Sequence, residues 1–292
     1  MATDEAVSAP ETGTEAETEQ HGRGSGPPSG IELGRRAVRL HQQGQSRQAL
    51  PLLQQALELQ RESGGAEQPQ FAVLLNNLGV VSRELGRMDD AMPFFLQALE
   101  ADRATVGEAD PQYATHLNNL AGLHQELGDL DQALPLLEQV VNIDKETLGE
   151  DSPQYATHAN NLGVLYLQMG RPDDALPYLQ QAVQVGKATI GKDHPKYASR
   201  LNNLALVYSY LAQSEEAESH FSEAIQIGEK TLGGDHPEYG ILVVNMAMFH
   251  RKRMQHDEAL RLVKQARQIF QNALGEEHPH TQSTGRFLEA NG

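Results

Sequence analysis

The stretch from Tyr155 to Lys196, YATHANNLGVLYLQMGRPDDALPYLQQAVQVGKATIGKDHPK, decides the fold because the chain repeats its pattern. The aromatic residue that opens it recurs at intervals of 42 residues, and so does a proline two positions before it. The aromatic anchors are Phe71, Tyr113, Tyr155, Tyr197 and Tyr239, and the prolines are Pro69, Pro111, Pro153, Pro195, Pro237 and Pro279. A constant period of this kind is typical of a solenoid of stacked supersecondary units.

Within one repeat, the apolar pattern predicts two antiparallel helices. The first is predicted over about Tyr155–Met169 and the second over about Ala175–Gly191, with a break that contains Gly and Pro between them. Pro177 is expected in the first turn of the second helix, where few backbone hydrogen bonds are lost. His194 precedes the next repeated proline, and such residues are predicted to cap the helices that follow them.

These residues resemble the tetratricopeptide repeat. That motif's W-x2-L-G-x2-Y…A-x3-F spacing falls on Leu201, Leu204, Ala205, Tyr208, Ala217 and Phe221, with the Trp replaced by Leu. The period and the runs LNNLA at 117–121 and 201–205 and LGGDHP at 232–237 are more specifically similar to the kinesin light chain subfamily. The resemblance implies an all-α, right-handed α-α superhelix of about six helix-turn-helix repeats, whose inner surface holds extended peptides. It does not imply a motor, because fold analogy does not carry function.

The domain organisation follows from the repeat register. The first thirty residues hold six acids and end in a run rich in Gly, Pro and Ser, so residues 1–30 are predicted to be a disordered acidic tail. This tail is interpreted as a solubilising leader or as an acidic interaction arm. The solenoid is expected over residues 31–280, in repeats of about 31–70, 71–112, 113–154, 155–196, 197–238 and 239–280. Residues 281–292 are expected to be a short cap or tail.

Composition excludes several classes of function. The chain has 23 Lys and Arg against 40 Asp and Glu, and its net charge of −17 disfavours binding to nucleic acid or to an anionic membrane. It has no Cys, so disulfides and thiolate metal sites are excluded. No apolar run approaches the roughly 20 residues that span a bilayer, and the first thirty residues lack the apolar stretch of a signal peptide. We therefore expect a cytoplasmic protein.

The first helix of each repeat carries an unusual face. We number positions within a repeat from its aromatic anchor, which is position 0. Positions 0, 4, 7 and 11 form the predicted core stripe, and a free helix would be charged on the opposite side. On that opposite side, positions 5 and 6 are instead mostly Asn in every repeat that has an aromatic anchor. Asn is a mediocre helix former. The pairs are Asn76 and Asn77, Asn118 and Asn119, Asn160 and Asn161, and Asn202 and Asn203, with Asn245 alone in the last repeat.

These amides suggest a peptide-binding surface. A carboxamide both donates and accepts hydrogen bonds, so a ladder of exposed Asn side chains could hold the backbone of an extended partner. Val164 and Leu206, at position 9, would then form part of an apolar strip for partner side chains. The alternative is structural: one Asn of each pair bonds the neighbouring helix, and the residues at position 9 pack between helices.

Basic residues occur near the ends of the same face. Arg35 stands where later repeats have their second Asn, and Arg83, Arg251 and Lys252 lie near the ends of their helices. They are candidate partner-binding residues. The run from His250 to Arg253 could bind an acidic partner or the protein's own acidic tail, and the alternative is a solvated helix end. A clamp for a terminal carboxylate is not expected, because the central repeats supply only Asn and Thr.

No catalytic, cofactor or metal site is predicted. The run Gly186–Asp193 fits a phosphate-binding loop except that Asp193 replaces Ser or Thr, and no strand precedes it. The histidines form no zinc motif, and no set of nucleophile, base and oxyanion donor can be assembled. The chain is thus predicted to be a non-enzymatic adaptor for a partner in an extended conformation. A self-associating scaffold, favoured by a weakly capped C-terminus that contains Gly285, and a peptide-responsive sensor remain open.

Overall fold

The computed structural model describes residues 29–291, and every regular element among them is helical. This confirms the prediction of an all-α fold. Thirteen α-helices and one short 3₁₀ turn, Gly65–Glu67, divide into two compact units that meet in sequence at Thr147 and Leu148. The acidic stretch predicted over residues 1–30 lies outside the described residues except for its last two.

In the first unit, three helix pairs follow one another. The helices are α1 Gly30–Gln42, α2 Ser46–Glu62, α3 Pro69–Glu84, α4 Met88–Thr105, α5 Pro111–Leu127 and α6 Leu130–Thr147. Each odd-numbered helix packs on the helix that follows it, and its core stripe meets the small and apolar residues of that partner. Leu75, Leu78 and Phe95 are buried in this way. Burial of such side chains is the main driving force for the fold.

In the second unit, three helix pairs are followed by a single helix. The helices are α7 Pro153–Gln168, α8 Pro172–Thr189, α9 Pro195–Tyr210, α10 Ser214–Leu232, α11 Pro237–Lys252, α12 His256–Leu274 and α13 Pro279–Asn291. The last helix covers the apolar flank of α12: Phe287 and Leu288 pack against its core cluster, and the Phe270 ring stacks on His280 at 5.0 Å. The expected weakly capped C-terminus is therefore wrong, because the segment with Gly285 is a helix that supplies the cap.

The predicted helix starts are confirmed by their capping contacts. The Asp110 carboxylate accepts a hydrogen bond from the Gln112 backbone N–H at 2.7 Å, and Nδ1 of His194 accepts one from the Lys196 N–H at 3.1 Å. His236 and His278 cap α11 and α13 in the same way. Each cap satisfies a backbone donor that has no partner inside the helix.

One proline position differs from the prediction. Helix α8 begins at Pro172, so Pro177 lies in the second turn rather than the first. The helix continues through it, as α4 and α6 continue through Pro93 and Pro135. Proline near the start of a helix removes a backbone donor but still leaves most of the ladder of hydrogen bonds intact.

Glycines at position 8 let paired helices approach closely. A Cβ on Gly163 would lie 2.5 Å from Cγ of Leu179, and one on Gly79 would lie 2.6 Å from the Phe95 ring. The other repeats have Ala at this position. The small residue therefore sets the distance between the two helices of a repeat, which in turn fixes the spacing of the faces described below. Among residues 29–291, no helix combines the length and apolarity needed to cross a bilayer.

Candidate partner-binding face

The paired asparagines are buried, which corrects the expectation that they are exposed. Asn76, Asn160 and Asn202 are at most 1% exposed, and Asn77, at 6%, is the most exposed of the eight paired residues. Only Asn245, in the last repeat, is half-buried. A helical wheel shows one helix alone, whereas here the first helices of neighbouring repeats pack side by side within each unit, as α3 does with α5 and α7 with α9. The amides therefore lie between neighbouring helices rather than at the surface.

The asparagines form a ladder that links successive repeats. In three places, Nδ2 of the position 6 Asn donates to Oδ1 of the position 5 Asn in the preceding repeat. The bonds are Asn119 to Asn76 at 2.9 Å, Asn203 to Asn160 at 3.1 Å, and Asn245 to Asn202 at 3.1 Å. This is the structural alternative raised by the sequence, extended to both members of the pair. Buried amides need such partners because an unpaired one loses its bonds to water.

A second set of contacts ties the same helices together at their C-terminal ends. Position 12 of one repeat meets position 13 of the next: His41 lies 3.2 Å from Glu84, and Arg83 lies 3.7 Å from Glu126. Arg83 is only 6% exposed. Its predicted place at the surface is therefore wrong, because its guanidinium reaches across the neighbouring helix. Burial would raise the pKa of Glu84, but hydrogen bonds from His41 and Ser46 outweigh it and hold that pKa below its usual range.

Two apolar residues were predicted on the strip at position 9. Val164 is fully buried between helices, so its expected exposure is wrong, whereas Leu206 is half-buried. Met248, in the next repeat, is also half-buried. Position 9 is thus partly open to solvent in the last two repeats of the second unit.

Beside Leu206 and Met248 lie two exposed residues at position 13. Tyr210 is 55% exposed, and Lys252 follows Met248 by one helical turn. The Lys252 ammonium lies 5.0 Å from the Tyr210 ring centroid and donates to the Ser209 carbonyl at 2.8 Å. We call these four residues the groove row. Tyr210 was not among the residues predicted from the sequence, although position 13 belongs to the same face and an aromatic residue there was the available signal.

The remaining basic candidates are exposed. Arg35 lies on α1, where no earlier helix pair is present among the described residues. The Arg251 guanidinium lies 5.0 Å from the Phe287 ring centroid on α13, and Arg253 forms a 2.6 Å ion pair with Glu218. Arginine over an aromatic face is a favourable cation–π contact. The structure therefore places Arg251 and Lys252 near one another but does not bring Arg83 to the surface with them.

The run that resembles a phosphate-binding loop has the wrong context. Gly186 lies inside α8, and a Cβ there would meet the Arg200 guanidinium at 2.8 Å. Gly191, with φ of +84°, follows the end of that helix. A phosphate loop needs a strand before it and a helix after it, whereas this run is the end of a helix.

Comparisons with known proteins agree with this architecture. Family models described as tetratricopeptide repeat match residues 33–104, 112–188, 160–230 and 244–280. No curated protein is significantly similar in sequence.

Several solved structures share the fold. One is the Podosopora anserina putative kinesin light chain with nearly identical TPR-like repeats: identity is 25%, the TM-score is 0.59, and the match covers 71% of this chain and 98% of that one. BtubC (BKLC) from P. vanneervenii is 19% identical with a TM-score of 0.60, covering 87% and 95% of the two chains. A Rap protein complexed with Competence and Sporulation Factor is 13% identical with a TM-score of 0.60, covering 89% and 74%.

The anchors, the helix pairs and the close contact at position 8 all follow the motif that these proteins share. Because the matching models span well over half of its residues, the chain belongs to the tetratricopeptide repeat family.

Proposed function

We propose that the chain is a non-catalytic adaptor that holds an extended segment of a partner protein against the groove row. The observation that carries this proposal is the continuity of Leu206, Tyr210, Met248 and Lys252 across two neighbouring helices. These side chains offer an aromatic ring, two apolar surfaces and a cation on one exposed strip. Aromatic and apolar anchors with a polar rim are the usual basis of peptide and protein recognition.

In this proposal, the asparagine ladder supports the face rather than binding the partner directly. Its amides are already hydrogen-bonded to each other, as between Asn203 and Asn160. A ladder of buried amides holds neighbouring helices in one register, so the groove row keeps its shape before a partner arrives. A preorganised surface loses less conformational entropy on binding than a mobile one.

Similar folds support the proposal without establishing it. The Rap protein that shares the fold was crystallised in complex with Competence and Sporulation Factor. A solenoid of this architecture can therefore hold a ligand.

The proposal is tested by photo-crosslinking in native extract. The full chain would carry the photoreactive amino acid benzoylphenylalanine at position 210 or 248, and the matched control would carry it at Gln226, an exposed residue on α10. We expect positions 210 and 248 to capture the same protein, through the same segment, and position 226 not to capture it. Capture at all three positions, or at none, would contradict the proposal.

A binding measurement completes the test. With the captured segment as a synthetic peptide, Tyr210→Ala with Met248→Ala should weaken binding at least about tenfold, since anchor residues commonly contribute more than 1 kcal/mol each. Gln226→Ala should leave the affinity unchanged. If the captured protein is this chain itself, self-association replaces the adaptor proposal, and light scattering across a concentration series would show the oligomer directly.

A further inference from the structure

The first helix, α1, departs from the repeat pattern at three neighbouring positions. It carries Arg35, Arg36 and Arg39 at positions 6, 7 and 10, counted from Ser29. The later repeats have Asn77, Asn119, Asn161, Asn203 and Asn245 at position 6; Leu78, Leu120, Leu162, Leu204 and Met246 at position 7; and Val81, Leu123, Leu165, Val207 and Phe249 at position 10. All of these are buried except Asn245 and Met246, which are half-buried. The three arginines, in contrast, are exposed.

The end of a repeat array needs a polar surface, because no further repeat covers it. That need explains why these positions are polar, but it does not explain why all three are arginine in a chain of net charge −17. Among residues 29–291, no carboxylate forms an ion pair with any of the three. The nearest acid along the helix, Glu32, accepts hydrogen bonds from the backbone N–H and the hydroxyl of Ser29 in a capping box. Hydrogen bonds from Ser29 and, more weakly, the charge of Arg35 lower the pKa of Glu32, so this acid offsets part of the charge of Arg35, and α1 keeps an excess of positive charge.

The segment immediately before α1 has the opposite charge. Residues 1–28 hold a single arginine, Arg23, against six acids. The acids are Asp4, Glu5, Glu11, Glu15, Glu17 and Glu19. This segment joins the helix at Ser29, the N-cap of α1. It is thus covalently attached within two helical turns of Arg35, the first arginine of the basic face.

We propose that residues 5–19 dock across the basic face of α1, with their carboxylates paired to Arg35, Arg36 and Arg39. The connecting chain allows this contact. Glu19 is ten residues from Ser29, and a flexible chain of that length spans roughly 17 Å on average. Arg35 and Arg39 lie about 9 and 15 Å along the helix axis from Ser29, at the usual rise per residue. Attachment at this distance corresponds to an effective concentration in the millimolar range.

The other basic run is a poorer site for the same segment. Arg251 and Lys252 each lie over an aromatic ring, and Arg253 is already paired with Glu218. An incoming carboxylate would have to compete with these contacts. At α1, the competing attraction is that of Glu32 for Arg35, and the Glu32 carboxylate is already bonded to Ser29. Since single exposed ion pairs are weak, docking should depend on several of them together and should be sensitive to salt.

The absence of cysteine makes a direct test simple. Thr14→Cys and Gln43→Cys introduce the only two thiols, one in the acidic segment and one just after α1, for a donor dye and a short-range acceptor whose Förster distance is about the length of α1. We expect high energy transfer in about 0.05 M NaCl and a loss of about half of it or more in about 0.5 M NaCl, because salt screens exposed charges. In the triple variant Arg35→Gln/Arg36→Gln/Arg39→Gln, energy transfer at low salt should be as low as it is in the wild-type arginine background at high salt.

Two controls make the test decisive. The triple Arg→Lys variant keeps the charge and should keep the transfer, whereas the pair Arg251→Gln/Lys252→Gln should leave it unchanged. Circular dichroism would verify that α1 remains helical in each variant. Transfer that does not respond to salt or to the triple Gln variant would overturn the proposal. A loss of energy transfer in the Arg251→Gln/Lys252→Gln variant would also overturn it. The same holds if energy transfer occurs between molecules that each carry one dye and disappears on dilution.

Discussion

Asn119 donates a hydrogen bond to Asn76, 43 residues earlier, with 2.9 Å between Nδ2 and Oδ1 and with both side chains buried. Replacing Asn119 by Ala should lower the free energy of unfolding by about 1–3 kcal/mol, because the Asn76 carbonyl is left buried without this partner. The control is Asn142→Ala on an exposed position of α6, which should be neutral or slightly stabilising. Urea denaturation measures both, and equal stability of the two variants would show that the ladder contributes nothing.

A buried ionisable pair in the first unit gives a second prediction. Asp102 and His116 are fully buried, with 2.6 Å between Oδ2 and Nδ1, and Gln112 also donates to the same carboxylate at 2.7 Å. His116→Leu alone should cost about 3–5 kcal/mol, because it leaves a buried carboxylate without its main partner.

Other repeats of the chain carry different residue pairs at the positions of Asp102 and His116, and one of these pairs can compensate for the loss of His116. At the equivalent positions two and three repeats later, Gly186 faces Arg200 and Gly228 faces Leu242. Asp102→Gly with His116→Leu copies the second of these pairs and should recover more than half of the stability lost in the single variant. A double-mutant cycle by thermal unfolding measures the coupling. Additive losses would mean that the two positions do not form one unit.

Alanine should have opposite effects at two glycines, Gly163 at position 8 and Gly122 at position 9, because the atoms that a new Cβ would meet differ. Gly163→Ala should destabilise by about 1–3 kcal/mol, since the new Cβ overlaps the rigidly packed Leu179 and overpacking outweighs the gain in helix propensity. Gly122→Ala meets only the terminal nitrogen of Arg83 at 2.9 Å. That flexible side chain can move, so the variant should be neutral or up to about 1 kcal/mol more stable. Equal effects at the two sites would contradict this packing argument.

A pH dependence is expected from His220, whose ring stacks on Tyr208 at 5.5 Å. Burial lowers the pKa of His220, although Glu223 and Glu216 oppose this shift. The unfolded chain therefore binds a proton more readily than the folded one, and stability falls as pH drops below about 6.5, levelling off below the folded pKa.

Unfolding free energies of the wild type and of His220→Gln, measured from about pH 7 to pH 5, test this expectation. The wild type should lose more stability over that range than the variant. His256→Gln, at an exposed position of α12, serves as the control for a histidine on the surface. A variant that keeps the wild-type pH profile would show that His220 does not titrate in this way.

The sequence by itself determined the architecture. The period of 42 residues, the prolines before each first helix and the capping residues such as His194 are local signals, and local signals fix where helices start and end. The apolar stripe is equally readable, because Leu162 and Tyr166 need only helical geometry to share one side of α7. The arginines of α1 also stand out in the sequence, since they interrupt an otherwise regular column of Asn, Leu and Val.

The exposure of the opposite face was decided only by the tertiary structure. Whether Asn119 meets solvent or Asn76 depends on a helix 42 residues away, and the periodicity within one helix carries no information about that neighbour. For the same reason, Arg83 and Val164 are buried, whereas Tyr210 remains open. Burial in a solenoid is set by the distance between successive repeats, and this distance follows from side-chain packing, which only the assembled helices reveal.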